Sequence, residues 1–390
     1  MLTAERLTEL TALRRDLHAH PELAFAEQRT AALIARELAA LGLPVHEGIG
    51  GTGLVAVVEG ARPGPAVGLR ADMDALPMQE GNTFAHASRH AGCMHGCGHD
   101  GHSAMLLGAA GVLARSRDFA GTVYLIFQPA EEMEGGAVAM IEDGLFTRFP
   151  MQAVYGLHNW PGLPAGQVAV QAGPMMAGMD LFEIVVTGRG SHAAMPHEGN
   201  DALVAAAQLV TAIQTIASRS VSPLESAVVS VTQLHAGDAY NVLPEQVVVR
   251  GTCRYFKGAV QAAIRARLDG LCRGLELAFG VTAALDYRVR YPAVCNEAAH
   301  AAVAAAAARR ALGDAGLCQR FAPSMASEDF AAMLAEVPGA LVWLGADNAH
   351  APSAPLHNPA YDFNDALIEP GVRFWVALAH DALEALACTR

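Results

Sequence analysis

Two successive alternations of short apolar runs with helical stretches constrain this chain more than any other feature of its sequence. Apolar runs at 54–58, 66–69, 122–127 and 153–157 are each bounded by glycine, proline or acidic residues. Helix-spaced segments lie between or before them: Leu7, Leu10, Leu13 and Leu17, then Leu33, Leu38 and Leu41, then 102–115 and 136–143. Helices with one apolar face need a sheet to cover, so this stretch predicts an α/β layer, a mixed and largely parallel sheet flanked by helices. After the glycine- and methionine-rich stretch 172–179 the order changes to strand (181–187), helix (202–218), strand (227–233), strand (246–255), helix (260–279), strand (282–291). That βαββαβ order is the ferredoxin-like α+β unit, which folds as a small two-layer domain. Beyond Pro292 the pattern returns to helix (298–312), strand (340–344) and helix (371–386). The expected division is a first domain in two segments, 1–178 and 293–390, interrupted by an inserted second domain, 179–292. A chain of 390 residues suits two cores better than one.

Composition narrows the function classes. With 52% hydrophobic and 17% charged residues, a large core is available and disorder is not expected. A formal charge of -13 repels nucleic acid and anionic membranes, so neither is expected as a partner, and an anionic substrate would have to meet local positive charge such as metal ions. Seven cysteines scattered along the chain make a poor disulfide framework and suggest a reducing, cytoplasmic setting. The first residues, with Glu5, Arg6, Glu9, Arg14 and Arg15, read as a charged helix and not as a secretion signal. The uncharged alanine-rich runs, such as 103–114, fall short of the roughly 18 residues that cross a bilayer, so the expectation is a soluble protein.

Four clusters carry chemistry. Met94-His95-Gly96-Cys97-Gly98-His99-Asp100-Gly101-His102 precedes an apolar helix, and Cys-x-His sets a thiolate and an imidazole within reach of one ion. The same residues also suit a glycine-rich loop whose histidines cap the helix. Gln128-Pro129-Ala130-Glu131-Glu132 follows an apolar strand, where neighbouring carboxylates point different ways: one to ligate a metal and one to take a proton, or both to solvent at a helix start. His158 closes a third strand and His357 lies near the C-terminus; alone, each is an ordinary surface or core histidine. Together, Cys97, His99, a glutamate, His158 and His357 supply five borderline-soft ligands, mostly at strand ends, enough for two ions sharing a bridge.

With these clusters stand Asp16-Leu17-His18, His20-Pro21-Glu22-Leu23, Leu69-Arg70-Ala71-Asp72-Met73-Asp74-Ala75-Leu76-Pro77, Gly190-Ser191-His192-Ala193-Ala194, Pro196-His197, Asn241-Val242-Leu243-Pro244, Ser327-Glu328-Asp329-Phe330 and Leu356-His357-Asn358-Pro359. As an ordered set running through nearly the whole chain, they resemble the M20 metallopeptidase family, in the amidohydrolase branch of hippurate and auxin-conjugate hydrolases. The resemblance implies that Cys97, His99, Glu132, His158 and His357 bind two divalent metal ions, Mn²⁺ in preference to Zn²⁺, and that Glu131 is the general base. It implies a supporting role for Asp74 behind the ligands, a hydrogen bond from His192 to the scissile carbonyl oxygen, a catalytic domain in segments 1–178 and 293–390 with 179–292 as lid or dimerisation domain, and a homodimer or higher homo-oligomer. Asn241 and Arg254 are candidates for holding a substrate carboxylate, or they simply finish strand hydrogen bonding. Two departures stand out: Ala326 where the branch often has glycine, and a short stretch 345–355 with its own His350, which is not assigned to the metals.

The expected reaction is hydrolysis of N-acyl amino acids to a carboxylic acid and a free amino acid. A dipeptidase or aminopeptidase of the same family is the nearest alternative, but no group to hold a free substrate amine is identifiable. Two others are a thiol hydrolase with Cys97 as nucleophile and His99 as base, and a non-catalytic metal-binding or regulatory protein on the same fold.

Overall fold

The computed structural model describes residues 2–132, 135–348 and 353–388. Met1 and His350 lie outside them. The chain divides into two compact units, one of residues 1–175, 295–322 and 329–390, the other of 176–294 and 323–328.

The first unit is built on a seven-stranded sheet, in the order Val45–Ile49, Gly53–Glu59, Ala120–Gln128, Arg62–Asp72, Ala153–Pro164, Gly339–Asp347, Val168–Ala169. The four strands from Ala120–Gln128 to Gly339–Asp347 are mutually parallel, and the outer strands pair antiparallel. This is the mixed, largely parallel α/β sheet expected, and its central strands are buried almost throughout, as sheets covered on both faces require. One face packs into a single core with the helices Ala4–Ala19, Gln28–Ala40, His99–Ser116, Ala298–Leu312 and Ile368–Cys388, represented by Leu10, Ile34, Leu106, Ala304 and Leu378 against Leu69, Leu125 and Tyr155. The alanine-rich helix works because Ala301, Ala304, Ala307, Ala308 and Ala311 recur at helical spacing and let it approach closely. The hairpin Val45–Ile49/Gly53–Glu59 was not visible as a pair in the sequence, since His46, Glu47 and Gly48 expose most of its first strand.

The second unit has a four-stranded antiparallel sheet, Ala227–Ala236, Gln246–Tyr255, Gly178–Thr187, Thr282–Tyr291, backed by the helices Ala202–Thr215 and Gly258–Phe279. The order of elements is the ferredoxin-like one. Its limits differ from those expected. Residues 323–328 join this unit although they are remote in sequence, because the amide of Ala177 donates to the carbonyl oxygens of Ser324 and Ala326. A local pattern of hydrophobicity carries no trace of such a pairing. The uncharged runs are expected to fall short of the length that crosses a bilayer. Among the described helices, Ala202–Ser220 meets the length and hydropathy, because its exposed face bears Gln and Thr with a single charge, Arg219. Its Ala202, Ala205, Ala206, Leu209, Ile213 and Ile216 are buried in the core of the second unit.

Candidate metal centre

Three parallel strands deliver the polar clusters to one edge. Register sets Asp72 opposite Gln128 and Arg70 opposite Gly156, so Asp72–Asp74, the turn after Gln128 and His158 all arrive at the carboxyl end of the sheet, the usual location of α/β sites. The helix His99–Ser116 begins there too. Gly98, between Cys97 and His99, has φ +93°, and a Cβ on it would collide with the side chains of Asn159 and Tyr361; only glycine lets the two ligand-type residues turn inward together.

Ligand atoms of Cys97, His99 and Glu132 lie within 4.8 Å of one another. The Cys97 Sγ is 3.4 Å from His158 Nε2, and His357 Nε2 is 3.3 Å from Glu132 Oε2. Cys97, His99 and His158 are buried and Glu132 nearly so, while about half of the His357 side chain is exposed. His357 has φ +61°, and its amide donates to the carbonyl of Gly96, which ties the C-terminal loop to the Cys97 loop. The five residues are therefore brought together from four separate parts of the chain.

Hydrogen bonds behind the rings set their inward atoms. His158 Nδ1 donates to the carbonyl of Asn159 at 2.7 Å, and His99 Nδ1 faces the carbonyl and carboxylate of Asp74 at 3.0 and 3.1 Å. With the proton held on Nδ1, each Nε2 presents a lone pair inward. Asp74 also accepts from the amide of Glu132 at 3.1 Å, so it orients two members of the group. His99 Nε2 and Glu132 Oε1, 3.8 Å apart, are both buried and have no hydrogen-bond partner among the described residues. Buried polar atoms are rarely left this way, and two separated by that gap, with Asp72 Oδ2 3.7 Å from the same nitrogen, fit a shared cation.

The electrostatics agree. Burial opposes charge on His99, but Asp72, Asp74 and Glu132 outweigh it and push the ring up to about 10, so the carboxylates favour positive charge at Nε2, and a bound cation would take the place of a proton there. Burial and the carboxylates of Glu132, Glu131 and Asp72 push the Cys97 thiol well above its ordinary value, a cost that a bound cation would cancel. Burial drives His158 well below the usual histidine range, which keeps it neutral as a ligand must be.

Around this group lies a layer that sequence reasoning did not assign. Asp72 Oδ1 accepts from His102 Nδ1 at 2.6 Å and its Oδ2 accepts from Arg70 at 2.7 Å. Arg70 also reaches Gln128 and Asp329, and His102 Nε2 meets the amide and side chain of Asn159. Asp72, His99, His102 and His158 also have ligand atoms within 4.8 Å of one another, but Asp72 and His102 are engaged by these neighbours. Both stood inside quoted motifs; the missing signal was their partners. Glu131 is buried, and its Oε1 accepts from the amide of Asp329 at 3.3 Å.

The remaining candidates belong to the second unit. His192 lies in a two-residue strand opposite Val242; it is exposed, and its Nδ1 accepts from the amide of Ala194. Asn241 is exposed, and its carbonyl accepts from the amide of Ala193. Arg254 ends an inner strand and donates to the hydroxyl of Ser327.

A family model described as Peptidase family M20/M25/M40 matches residues 68–381. The chain belongs to that family. Its M20 relatives include the hippurate hydrolase of Campylobacter jejuni, 38% identical over 371 residues covering 95% of this chain and 96% of that one. They also include the N-acetyl-L-cysteine deacetylase of Bacillus subtilis, 39% identical over 364 residues covering 92% and 85%. A solved Bacillus subtilis structure described as a dinuclear metal binding peptidase of the M20 family superposes with a TM-score of 0.85 at 34% identity, covering 98% of this chain and 100% of that one. The protein is thus an M20 metal-dependent hydrolase, and a binuclear metal site agrees with both the family and the cluster of Cys97, His99 and Glu132.

Proposed function

We propose that this M20 hydrolase cleaves the amide bond of N-acyl amino acids, releasing a carboxylic acid and a free amino acid. The observation that carries the reading is the pair of buried atoms His99 Nε2 and Glu132 Oε1, without a hydrogen-bond partner among the described residues, beside a buried thiol and a second inward-facing imidazole. In this reading Cys97, His99, Glu132, His158 and His357 would hold two divalent ions; Mn²⁺ is favoured on family resemblance and Zn²⁺ is the alternative. Bound divalent cations supply Lewis acidity toward both the attacking water and the substrate carbonyl.

The chain's own residues do the rest. Glu131, buried beside the ligands and held by the amide of Asp329, takes a proton from the attacking water and returns it to the leaving amine. Asp74 keeps the proton of His99 on Nδ1 and the backbone of Glu132 in place. His192 is assigned the hydrogen bond to the carbonyl oxygen as charge develops there, and Asn241 and Arg254 the substrate carboxylate, on motif resemblance. The second unit is assigned the roles of lid and dimer contact. The apolar Leu234, Tyr240 and Val242 exposed along and beyond its edge strand support the latter. All seven cysteines are free thiols, which supports a reducing, cytoplasmic setting.

The decisive experiment is release of glycine from hippurate by the purified protein as isolated, after chelation, and after Mn²⁺ is restored. Activity that disappears and returns supports the reading. Inactivity in every state, with dipeptides cleaved instead, replaces it with the peptidase alternative.

A further inference from the structure

The turn that carries Glu131 and Glu132 has an unusual backbone. Ala130, immediately before them, has φ +54°, a left-handed conformation that disfavours any residue with a Cβ. Something has to hold it. Its carbonyl accepts from the amide of Gly136, where a Cβ would collide with the carbonyl of Pro129. Its own amide donates, at 2.9 Å, to Oε1 of Glu27, a residue 103 positions earlier in the chain.

Glu27 precedes the helix Gln28–Ala40 and is fully buried. Its other oxygen accepts from the hydroxyl of Thr52 at 2.5 Å. Thr52 belongs to the glycine-rich turn before the strand Gly53–Glu59, and an added Cβ at Gly53 would lie 3.0 Å from Pro129 Cδ, so that turn packs directly against the start of the Glu131 turn. One carboxyl group thus links the second helix, the first hairpin and the disfavoured backbone of Ala130. A buried carboxylate is expensive, and an apolar side chain would fill the same space more cheaply. No step of the proposed hydrolysis uses Glu27, which lies outside the ligand group.

We propose that Glu27 is a positioning residue for the reaction: by holding the amide of Ala130 it keeps the turn in the left-handed conformation that aims the Glu131 carboxylate at the attacking water. The inference rests on Glu131 being the general base. Misaiming a general base lowers kcat while leaving substrate affinity and metal binding nearly intact, and displacements of about 1 Å cost up to about a hundredfold.

The test compares the metal-loaded wild type with Glu27→Ala, Glu27→Gln, Glu27→Ala/Ala130→Gly, Thr52→Val and Glu131→Gln, reading kcat, KM for hippurate and bound metal in each. Glu27→Ala should lose about tenfold or more in kcat with KM and metal content near wild type. Glu27→Gln should recover kcat to within about threefold, because the amide oxygen still accepts from Ala130 and the amide nitrogen can donate to Thr52. Adding Ala130→Gly to Glu27→Ala should restore part of kcat, since glycine adopts the left-handed conformation unaided; filling or emptying a core cavity would not respond to that change. An unchanged kcat in Glu27→Ala, or a Gln variant as impaired as the Ala variant, overturns the proposal. If Glu27→Ala does not fold, Thr52→Val decides: a severalfold lower kcat at unchanged KM supports the proposal, and wild-type kcat overturns it. Normal turnover in Glu131→Gln would overturn the assignment of the base instead, whatever the Glu27 variants do.

Discussion

Buried ionisable side chains are answered in opposite ways at Asp180 in the second unit and at His99 and Glu132 in the first. In the second unit the carboxylate of Asp180 is fully buried and completely answered: Tyr255 donates to one oxygen at 2.9 Å, and Tyr287 and Gln261 to the other at 2.6 and 2.7 Å. At the carboxyl edge of the first unit, beside Asp72 and His102 whose polar atoms are engaged, two groups are answered on one side only. His99 is bonded through Nδ1 and Glu132 through its amide and Oε2, while His99 Nε2 and Glu132 Oε1, 3.8 Å apart, have no hydrogen-bond partner among the described residues. The contrast separates a buried charge that serves the fold from one reserved for a ligand. Complete satisfaction rigidifies a core, whereas a half-satisfied group is a standing cost that something else must offset.

The comparison can be broken in four places. The largest effect is expected at Glu131, where Glu131→Gln should lower kcat by about a thousandfold while metal analysis still finds the wild-type content; comparable turnover would remove the base from the open side of the contrast. At Asp180, truncation to alanine orphans two hydroxyls and an amide, so stability to urea should fall by about 3 kcal/mol with kcat unchanged below the melting temperature. A large loss of kcat with intact stability would show that the satisfied cluster is not merely structural.

Chelation is the converse test. Removing an ion that binds only the folded state, present at about a hundred times its dissociation constant, should lower apparent stability by about 3 kcal/mol, and restoring Mn²⁺ should reverse the loss in a melting experiment. Thermal stability indifferent to chelation would argue that the open side accommodates no cation.

The smallest effect concerns His18. Burial opposes its charge, but hydrogen bonds to Asp100 at 2.8 Å and Glu80 at 3.3 Å outweigh that and push it up to about 9. Because the folded value lies above the unfolded one, near 6.5, the stabilisation is complete below about pH 6.5, declines as pH rises and is gone above about 9, with a slope of no more than about 1.4 kcal/mol per pH unit. Asp100, held far below the usual carboxylate range by His18 in spite of burial, contributes stability that is lost only in strong acid. Urea titrations of His18→Gln should lack the alkaline decline seen in the wild type; an identical decline would place its origin elsewhere.

The elements set by local periodicity were legible from the residues alone. The strands Gln246–Tyr255 and Thr282–Tyr291 and the helix Ala298–Leu312 coincide with the expected limits, because alternation with a period of two, or alanines three and four apart, is a property of neighbouring residues. The ligand-type side chains were legible as clusters at strand ends, since Cys97 with His99 and Glu131 with Glu132 are adjacent in sequence. The placement of His357 beside Glu132 and the membership of 323–328 in the second unit depended on contacts across long stretches of chain. So did every partner that distinguishes one buried polar residue from another. Nothing local marks Arg70 as the guanidinium joining Asp72 to Asp329, or Glu27 as the acceptor for Ala130; both sit among apolar or surface-like neighbours. The sequence by itself determined the two kinds of layer and the types of group available for chemistry, because periodicity and composition are local. Only the tertiary structure decided which of those groups are satisfied by neighbours and which are gathered as ligand-type atoms, because a hydrogen bond between residues a hundred positions apart leaves no periodic signal in either segment.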